Sequence, residues 1–526
     1  MGFVRSSKRS NAARAVTAPT RGTPIPRMDF ACTFAPRLIN DAAPSQRIAA
    51  KKAEAASAAL SRERRAAAPS PPPPMKRAKP SRRRRDATSP AVINERASTA
   101  AVQVFVFGGG ESGELGLGPT QTTAPRPCKN PFLDPDDAAA LHVTDIACGG
   151  MHTVALTVDG RIVTWGVNDN KALGRDTAWH GGRLRDAAEE ASGSDGAPPG
   201  LNPLESTPMA IDAAHFAAGT VFVSVAAGDS CSFALTSTGL VYGWGTFRDP
   251  DGKEAFGYAA TTGALVAKQA TPVLVPGLSR ITQIACGANH ALALDAAGDI
   301  WGWGCGQQLQ FGRRLFGRHQ DTLRPQVLRF CRGATAAIAC GAYHCLARDT
   351  ADNVWGWGLN GCGQAGDDDD EEALLARPAK IPALCGQRVT QLAGGAHHSA
   401  AVTADGACLV WGRLDGGQLG LAEQLAAGAL LVRCDERGRP RICRVPTAVA
   451  LGEPVARVAC GTDHTLFVAR SGDVYATGFG SEGQLGLGSD EDAHTPRKIE
   501  GKQVSGQMLT WAGAGGQFSV VTGKAS

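Results

Sequence analysis

Residues 146–166 read IACGGMHTVALTVDGRIVTWG, and residues 284–304 read IACGANHALALDAAGDIWGWG. In both, thirteen positions separate the His from the Trp of the final Trp-Gly: His152 to Trp165, and His290 to Trp303. The spacing recurs from Cys231 to Trp244, His344 to Trp357, His398 to Trp411 and His464 to Thr477. Both halves of each unit are strand-like, and pairs such as Asp159-Gly160, Asp405-Gly406 and Ser471-Gly472 between them signal tight hairpins. A fixed spacing across a tight hairpin returns the same side chains to the same sheet face each time.

Successive Trp-Gly positions lie 79, 59, 54, 54 and 66 residues apart. These are the lengths of propeller blades, longer than ankyrin or leucine-rich units. The Gly closing each unit recurs seven times, from Gly108 to Gly478, and the His position recurs with Phe518 as its degraded seventh copy. The repeat region opens with an orphan second half, Val104 to Phe107, and ends with an orphan first half, Leu509 to Val521. Pairing the two completes a blade and removes an open sheet edge. The expected fold is therefore all-β: a seven-bladed β-propeller over 102–522, its last blade closed by N- and C-terminal strands.

Charge divides the chain. Residues 1–100 hold 21 Lys and Arg against 6 Asp and Glu, so the overall +5 conceals an acidic remainder. The segment 1–101 is rich in Ala, Pro and Arg and poor in aromatics, a composition that cannot offset its ordering entropy. It reads as a disordered basic tail. Lys76, Arg77, Lys79 and Arg82, Arg83, Arg84 and Arg85 form a dense cluster after Pro71–Pro74. Such a cluster is a nuclear import signal, a nucleic-acid contact or a solvated charge run. The acid-free residues 1–27 also fit a transit peptide, Gly2 with Ser6 fits a myristoylation pattern, and Met28 or Met75 could be the start. No apolar run is long enough to cross a membrane.

The fifteen Cys form no zinc-finger spacing. Cys148, Cys286, Cys340 and Cys460 share one repeat position and read as small apolar groups of a reducing compartment. Cys434 and Cys443 flank a basic loop and are a weak disulfide candidate. The repeated His is expected to bond a backbone group within its own blade, and the repeated Trp to pack between blades. Periodicity argues against a metal or catalytic reading, and no nucleophile elbow, P-loop, dinucleotide fingerprint or HExxH is found. No metal or cofactor is expected.

Function should then lie where the repeats differ. After Trp244-Gly245 the Gly-rich stretch is replaced by a polar hairpin, residues 246–257, with Pro250, Asp251 and Gly252 at the tip and Phe247 and Phe256 on the flanks. It could insert into a partner, or be a decorated loop. A basic stretch, Arg313, Arg314, Arg318 and Arg324, interrupts the acidic core, and residues 177–207 read as a solvated loop. The residues before the repeated His, namely Met151, Ser230, Asn289, Tyr343, His397 and Asp463, should line one face suited to a protein partner.

The Ala-Cys-Gly-x-x-His and Gly-Gln-Leu-Gly-Leu-Gly repeats resemble the regulator of chromosome condensation family, over about residues 102–522. Gly-Gly-Met-His-Thr-Val at 149–154, Ala-Leu-Gly-Arg-Asp-Thr at 172–177, Gly-Asp-Ser at 228–230, Phe-Arg-Asp at 247–249 and Asp-Glu-Asp-Ala at 490–493 bring the likeness close to its founding member. The resemblance implies a chromatin-bound guanine nucleotide exchange factor for the nuclear small GTPase Ran, acting without covalent chemistry. It makes the hairpin Phe247, Arg248, Asp249, Pro250, Asp251, Gly252, Lys253, Glu254 to Phe256 a wedge. It turns Glu111, Asp229, Arg313 and His397 or His398 towards the GTPase. It assigns Arg314, Arg318 and Arg324, with the tail, to nucleosomal DNA, and the basic cluster to an import receptor. Asn289 stands where the family carries an acidic residue with an exchange role, Glu111 replaces an Asp, and Gln308 to Phe311 lose a usual Gly. The alternative is a propeller scaffold without exchange activity. A sensory propeller like the plant ultraviolet-B receptor would need a Gly-Trp-Arg-His-Thr motif that the chain lacks.

Overall fold

The computed structural model describes residues 91–179, 200–259, 261–314, 319–330, 332–366 and 373–525. The tail cluster Lys76 to Arg85 and Arg318 lie outside them, as does most of the 177–207 insertion.

Among the described residues, seven four- or five-stranded antiparallel sheets follow one another around a ring, with two two-stranded ribbons besides. The sequence pattern compresses two strands into each first half. In the first blade, Val143–Cys148 lines the centre, His152–Thr157 follows, and Ile162–Gly166 carries the Trp-Gly. Register explains the thirteen-residue spacing: His152 faces Gly166 across the hairpin, and Thr153 faces Trp165. The same pairing recurs as Cys231 with Gly245, His290 with Gly304, His344 with Gly358, His398 with Gly412 and His464 with Gly478. In the seventh blade the partners come from opposite chain ends. Phe518 pairs with Gly108 as Val102–Gly109 lies antiparallel to Phe518–Lys524. The strands Leu509–Ala514 and Thr123–Lys129 complete that sheet, so the expected closure is present with two strands from each end.

The recurring spacing also builds the seams. Four of the five repeat Trp indoles reach back to a carbonyl of the preceding blade's Gly-rich stretch: Trp165 to Glu114, Trp244 to Ala172, Trp357 to Gln310 and Trp411 to Gln364, at 2.7–3.0 Å. The repeated His corrects the expectation of a bond within its own blade. His152, His344, His398 and His464 each place Nε2 2.7–2.9 Å from a hydroxyl of the next blade: Ser232, Ser399, Thr465 and Ser519. That hydroxyl in turn donates to a Gly-rich-stretch carbonyl, as Ser399 does to Gln364. His and Trp therefore converge on the same seam.

Two more expectations change. Residues 91–101, counted with the tail, lie on the ring: Asn94 donates to the carbonyls of Thr236 and Ile281, and Arg96 to those of Phe222, Thr157 and Val158. The ends of the 177–207 insertion are built in, since Thr177 is buried and donates to Glu205, and Asn202 caps the short helix Pro203–Ser206. Where the Gly-rich stretch loses its Gly, Leu309 itself takes the left-handed conformation, with φ 63°, a strained state for a side chain of this size. Cys434 and Cys443 are both free thiols.

Candidate functional site: a wedge on one face of the ring

In antiparallel blades, the turns joining first to second strands and the loops joining third to fourth leave the ring on the same side. The wedge, the described parts of the basic loop (305–314 and 319–325) and the residues before each repeated His therefore share one face.

The wedge grows directly out of the strand Val241–Gly245. Its root is apolar. Phe247 is 2% exposed, stacks on Phe256 at 6.0 Å between centroids, and both lie against Phe233. Phe233 meets Trp303 of the next blade edge-on at 5.3 Å. Burial of these rings fixes the base. Phe247↔Ala255 and Arg248↔Glu254 then pair as a short ribbon. The turn closes through Asp249, whose carboxylate accepts from the Lys253 N–H at 2.8 Å, and Gly252 supplies φ 78°. Pro250, Asp251, Gly252 and Lys253 stand exposed at the tip, whereas Asp249 is buried. Phe247 and Asp249, expected at the partner, are therefore root and turn.

Side contacts aim the ribbon. The Arg248 N–H donates to Asn289 Oδ1 at 2.7 Å. The Arg248 guanidinium donates to Asn170 Oδ1 at 3.1 Å and lies 3.4 Å from Glu254, which Lys268 approaches at 3.2 Å. Asn170 also donates to Ser230 Oγ. Asn170 and Lys268 were not legible as site residues, because they lie in loops whose register only the folded ring supplies.

Asp229 and Tyr343 complete this side of the mouth. Asp229 is open to solvent, yet the surrounding protein strips enough hydration to raise its carboxyl above the usual range, with Arg248 opposing the shift. Burial and the nearby Asp229 raise the Tyr343 phenol. Glu111 is exposed on a loop of the closing blade. Across the mouth, Arg413 lies 2.6 Å from Asp415 and 3.4 Å from Asp463, and Arg441 binds the other oxygen of Asp415 at 2.7 Å. His397 is half-buried there. Desolvation and Arg413 lower its pKa, which favours the neutral ring. His398, the other candidate, is fully buried against Thr465 and is removed from the face. Arg313 is exposed and donates to Gln326. Arg314 is exposed, and Arg324 sits 4.6 Å over the Tyr258 ring, just beyond the wedge.

A closed ring that carries a polar ribbon on an aromatic root defines a β-propeller with an interaction face. The RCC1-like domain model matches residues 103–521, and the chain belongs to that family. It is 37% identical over 439 residues to "Guanine nucleotide exchange factor SRM1" of Saccharomyces cerevisiae, covering 81% of this chain and 88% of that one. Among solved structures it is similar to Prp20p of the same yeast, a protein with binding properties to Gsp1p and histones, with TM-score 0.72, 35% identity and coverage of 82% and 94%. It is equally similar, at TM-score 0.72 and 34% identity over 86% of this chain and 96% of that one, to yeast RCC1 (Prp20) bound to Kap60.

Proposed function

We propose that the chain is a guanine nucleotide exchange factor for the small GTPase Ran, with the 248–254 ribbon as its wedge. The observation that carries this is the ribbon's construction: an immobile aromatic root, a capped backbone, and a polar tip beside Asp229. A small GTPase holds its nucleotide through backbone amides, a Lys and a magnesium ion on the phosphates. A preformed wedge that fits only the empty site stabilises that state, and by linkage nucleotide affinity must fall. Rigidity matters because a floppy loop would lose its binding energy to ordering. The factor accelerates exchange without covalent chemistry.

The similarity to Prp20p, with its histone binding, and to the Kap60-bound yeast protein supports a nuclear, chromatin-associated setting with histone and import-receptor partners. In this chain the basic cluster 76–85 suits both an import receptor and nucleic acid. Arg314 and Arg324 share the wedge's face with Arg313, and they are the propeller's contribution to the DNA contact.

The test is release of a fluorescent GDP analogue from Ran by the full chain. Asp229→Ala, and replacement of 250–253 by a short Gly turn, should each slow release at least tenfold. Release no faster than from the GTPase alone, by a folded chain, would leave a binding scaffold.

A further inference from the structure

The seam between the third and fourth blades breaks the hydroxyl rule. His290 Nε2 meets a thiol, Cys345 Sγ, at 3.1 Å. Cys345 faces Cys340 directly across the strand pair. One nitrogen and two sulfurs thus lie within 4.8 Å of one another. At the matching position the other blades pair Ala227 with Ser232, Gly394 with Ser399, Ala514 with Ser519, Cys460 with Thr465, Cys148 with Thr153 and Cys286 with Ala291. Periodicity makes the repeated His structural; this departure from periodicity brings two thiols to one imidazole.

We propose that His290, Cys340 and Cys345 form a binding site for a soft divalent cation of the zinc class. The donor set argues for the ion. Thiolate sulfur and imidazole nitrogen are the ligands zinc prefers, and two cysteines with one histidine is an established three-residue set with a fourth position free. Two thiolates neutralise a divalent ion, which matters where His290 and Cys345 have no exposure. Cys340 lines the central channel with Cys286 and the small residues of the first strands. The channel is thus the route of entry, and water there can fill the fourth position. Binding replaces two S–H protons with two S–metal bonds, so each ion taken up releases two protons. Because each thiol gives up its proton on binding, affinity climbs as pH rises. His290 directly follows Asn289, so a bound ion would also stiffen the anchor of the wedge.

The repeat supplies substitutions that other blades already tolerate: Cys345→Ser and Cys340→Ala. Cobalt(II) is the probe, titrated without oxygen into the reduced full chain. One equivalent should give tetrahedral d–d bands with thiolate charge transfer, release two protons, and be displaced by zinc. Zinc should raise the melting temperature. Each substitution should abolish the spectrum and the thermal shift while leaving the metal-free melting temperature within a few degrees. Cobalt spectra that are absent, or that survive both substitutions, would overturn the site. So would a Cys340–Cys345 disulfide as the stable form of the unreduced protein.

Discussion

Asn289 accepts the backbone N–H of Arg248 at 2.7 Å, tying the first residue of the wedge ribbon to the next blade. From the sequence, Asn289 was a loss, an acid replaced by an amide. In the fold it is the cap that keeps the ribbon from swinging. Asn289→Ala leaves that N–H unpaired at the wedge base, a cost of about 1 kcal/mol. GDP release should slow about fivefold, with the melting temperature nearly unchanged. Asn289→Asp keeps an acceptor and should retain or exceed the parent rate. Equal rates for all three proteins would remove Asn289 from the mechanism.

Phe247 and Arg248 are neighbours with opposite roles. Phe247→Ala opens a cavity in the stack with Phe256 and Phe233 and should cost about 3 kcal/mol or more in denaturant unfolding. Arg248→Ala removes partly exposed contacts worth about 1 kcal/mol or less and should instead weaken GTPase engagement. If Phe247→Ala unfolds with parent stability but does not exchange nucleotide, the ring is a contact and the root assignment is wrong.

The seams make acid sensitivity predictable. Burial depresses His152 and His464 to about 4, and His344 and His398 to about 3. The unfolded chain protonates first, below about 6.5. Seam stability is therefore full above that pH and is lost as pH falls towards the folded values, by up to about 1.4 kcal/mol per unit for each ring. His398→Gln should flatten the slope of unfolding free energy between pH 6.5 and 4, even if it lowers stability at pH 8. An unchanged slope would mean that these rings are charged in the fold.

Asp145 has the opposite sign. Gln283 and Gln391 each accept from the N–H and donate to the C=O of one residue in the next blade, Ile338 and Val458. Asp145 holds the same position but only accepts, from Val225 at 3.3 Å. Desolvation raises it to about 6. A raised carboxyl favours the fold most below the unfolded value near 3.9, and that gain is lost as pH rises through about 6. Asp145→Gln should therefore stabilise the ring at pH 7.5 by about 2–3 kcal/mol and leave stability at pH 4 little changed. Destabilisation at pH 7.5 would show that the ionised carboxylate is already well satisfied.

The ring was legible because thirteen-residue spacing is register: His152 opposite Gly166 is a statement about strands before any strand is seen. The closing blade was legible for the same reason, Phe518 and Gly108 being one such pair cut by the chain ends. The wedge appeared as a gap in the repeat. What supports it did not, since Asn170 and Lys268 carry no pattern and reach Arg248 and Glu254 only after the ring closes. His397 and His398 could not be told apart because the turn and the strand that begins at His398 meet between them, and only the seam with Thr465 decides which is buried.

The segment 91–101 decides where a truncation can be made. Charge alone puts a boundary near 101, yet Asn94 and Arg96 satisfy five carbonyl contacts on the first three blades. At about 1 kcal/mol for each well-made bond, offset by the entropy of ordering the extended segment, residues 91–101 contribute a few kcal/mol. Removing 1–90 should leave the melting temperature and GDP release near those of the full chain. It should also weaken nucleosome binding and flatten its salt dependence, because the phosphate-neutralising charges are gone. Removing 1–101 should lower the melting temperature by several degrees more. Asn94→Ala with Arg96→Ala in the full chain should reproduce that drop without touching nucleosome affinity. If instead both truncations melt alike, the segment adds nothing to the ring and the boundary belongs at 101.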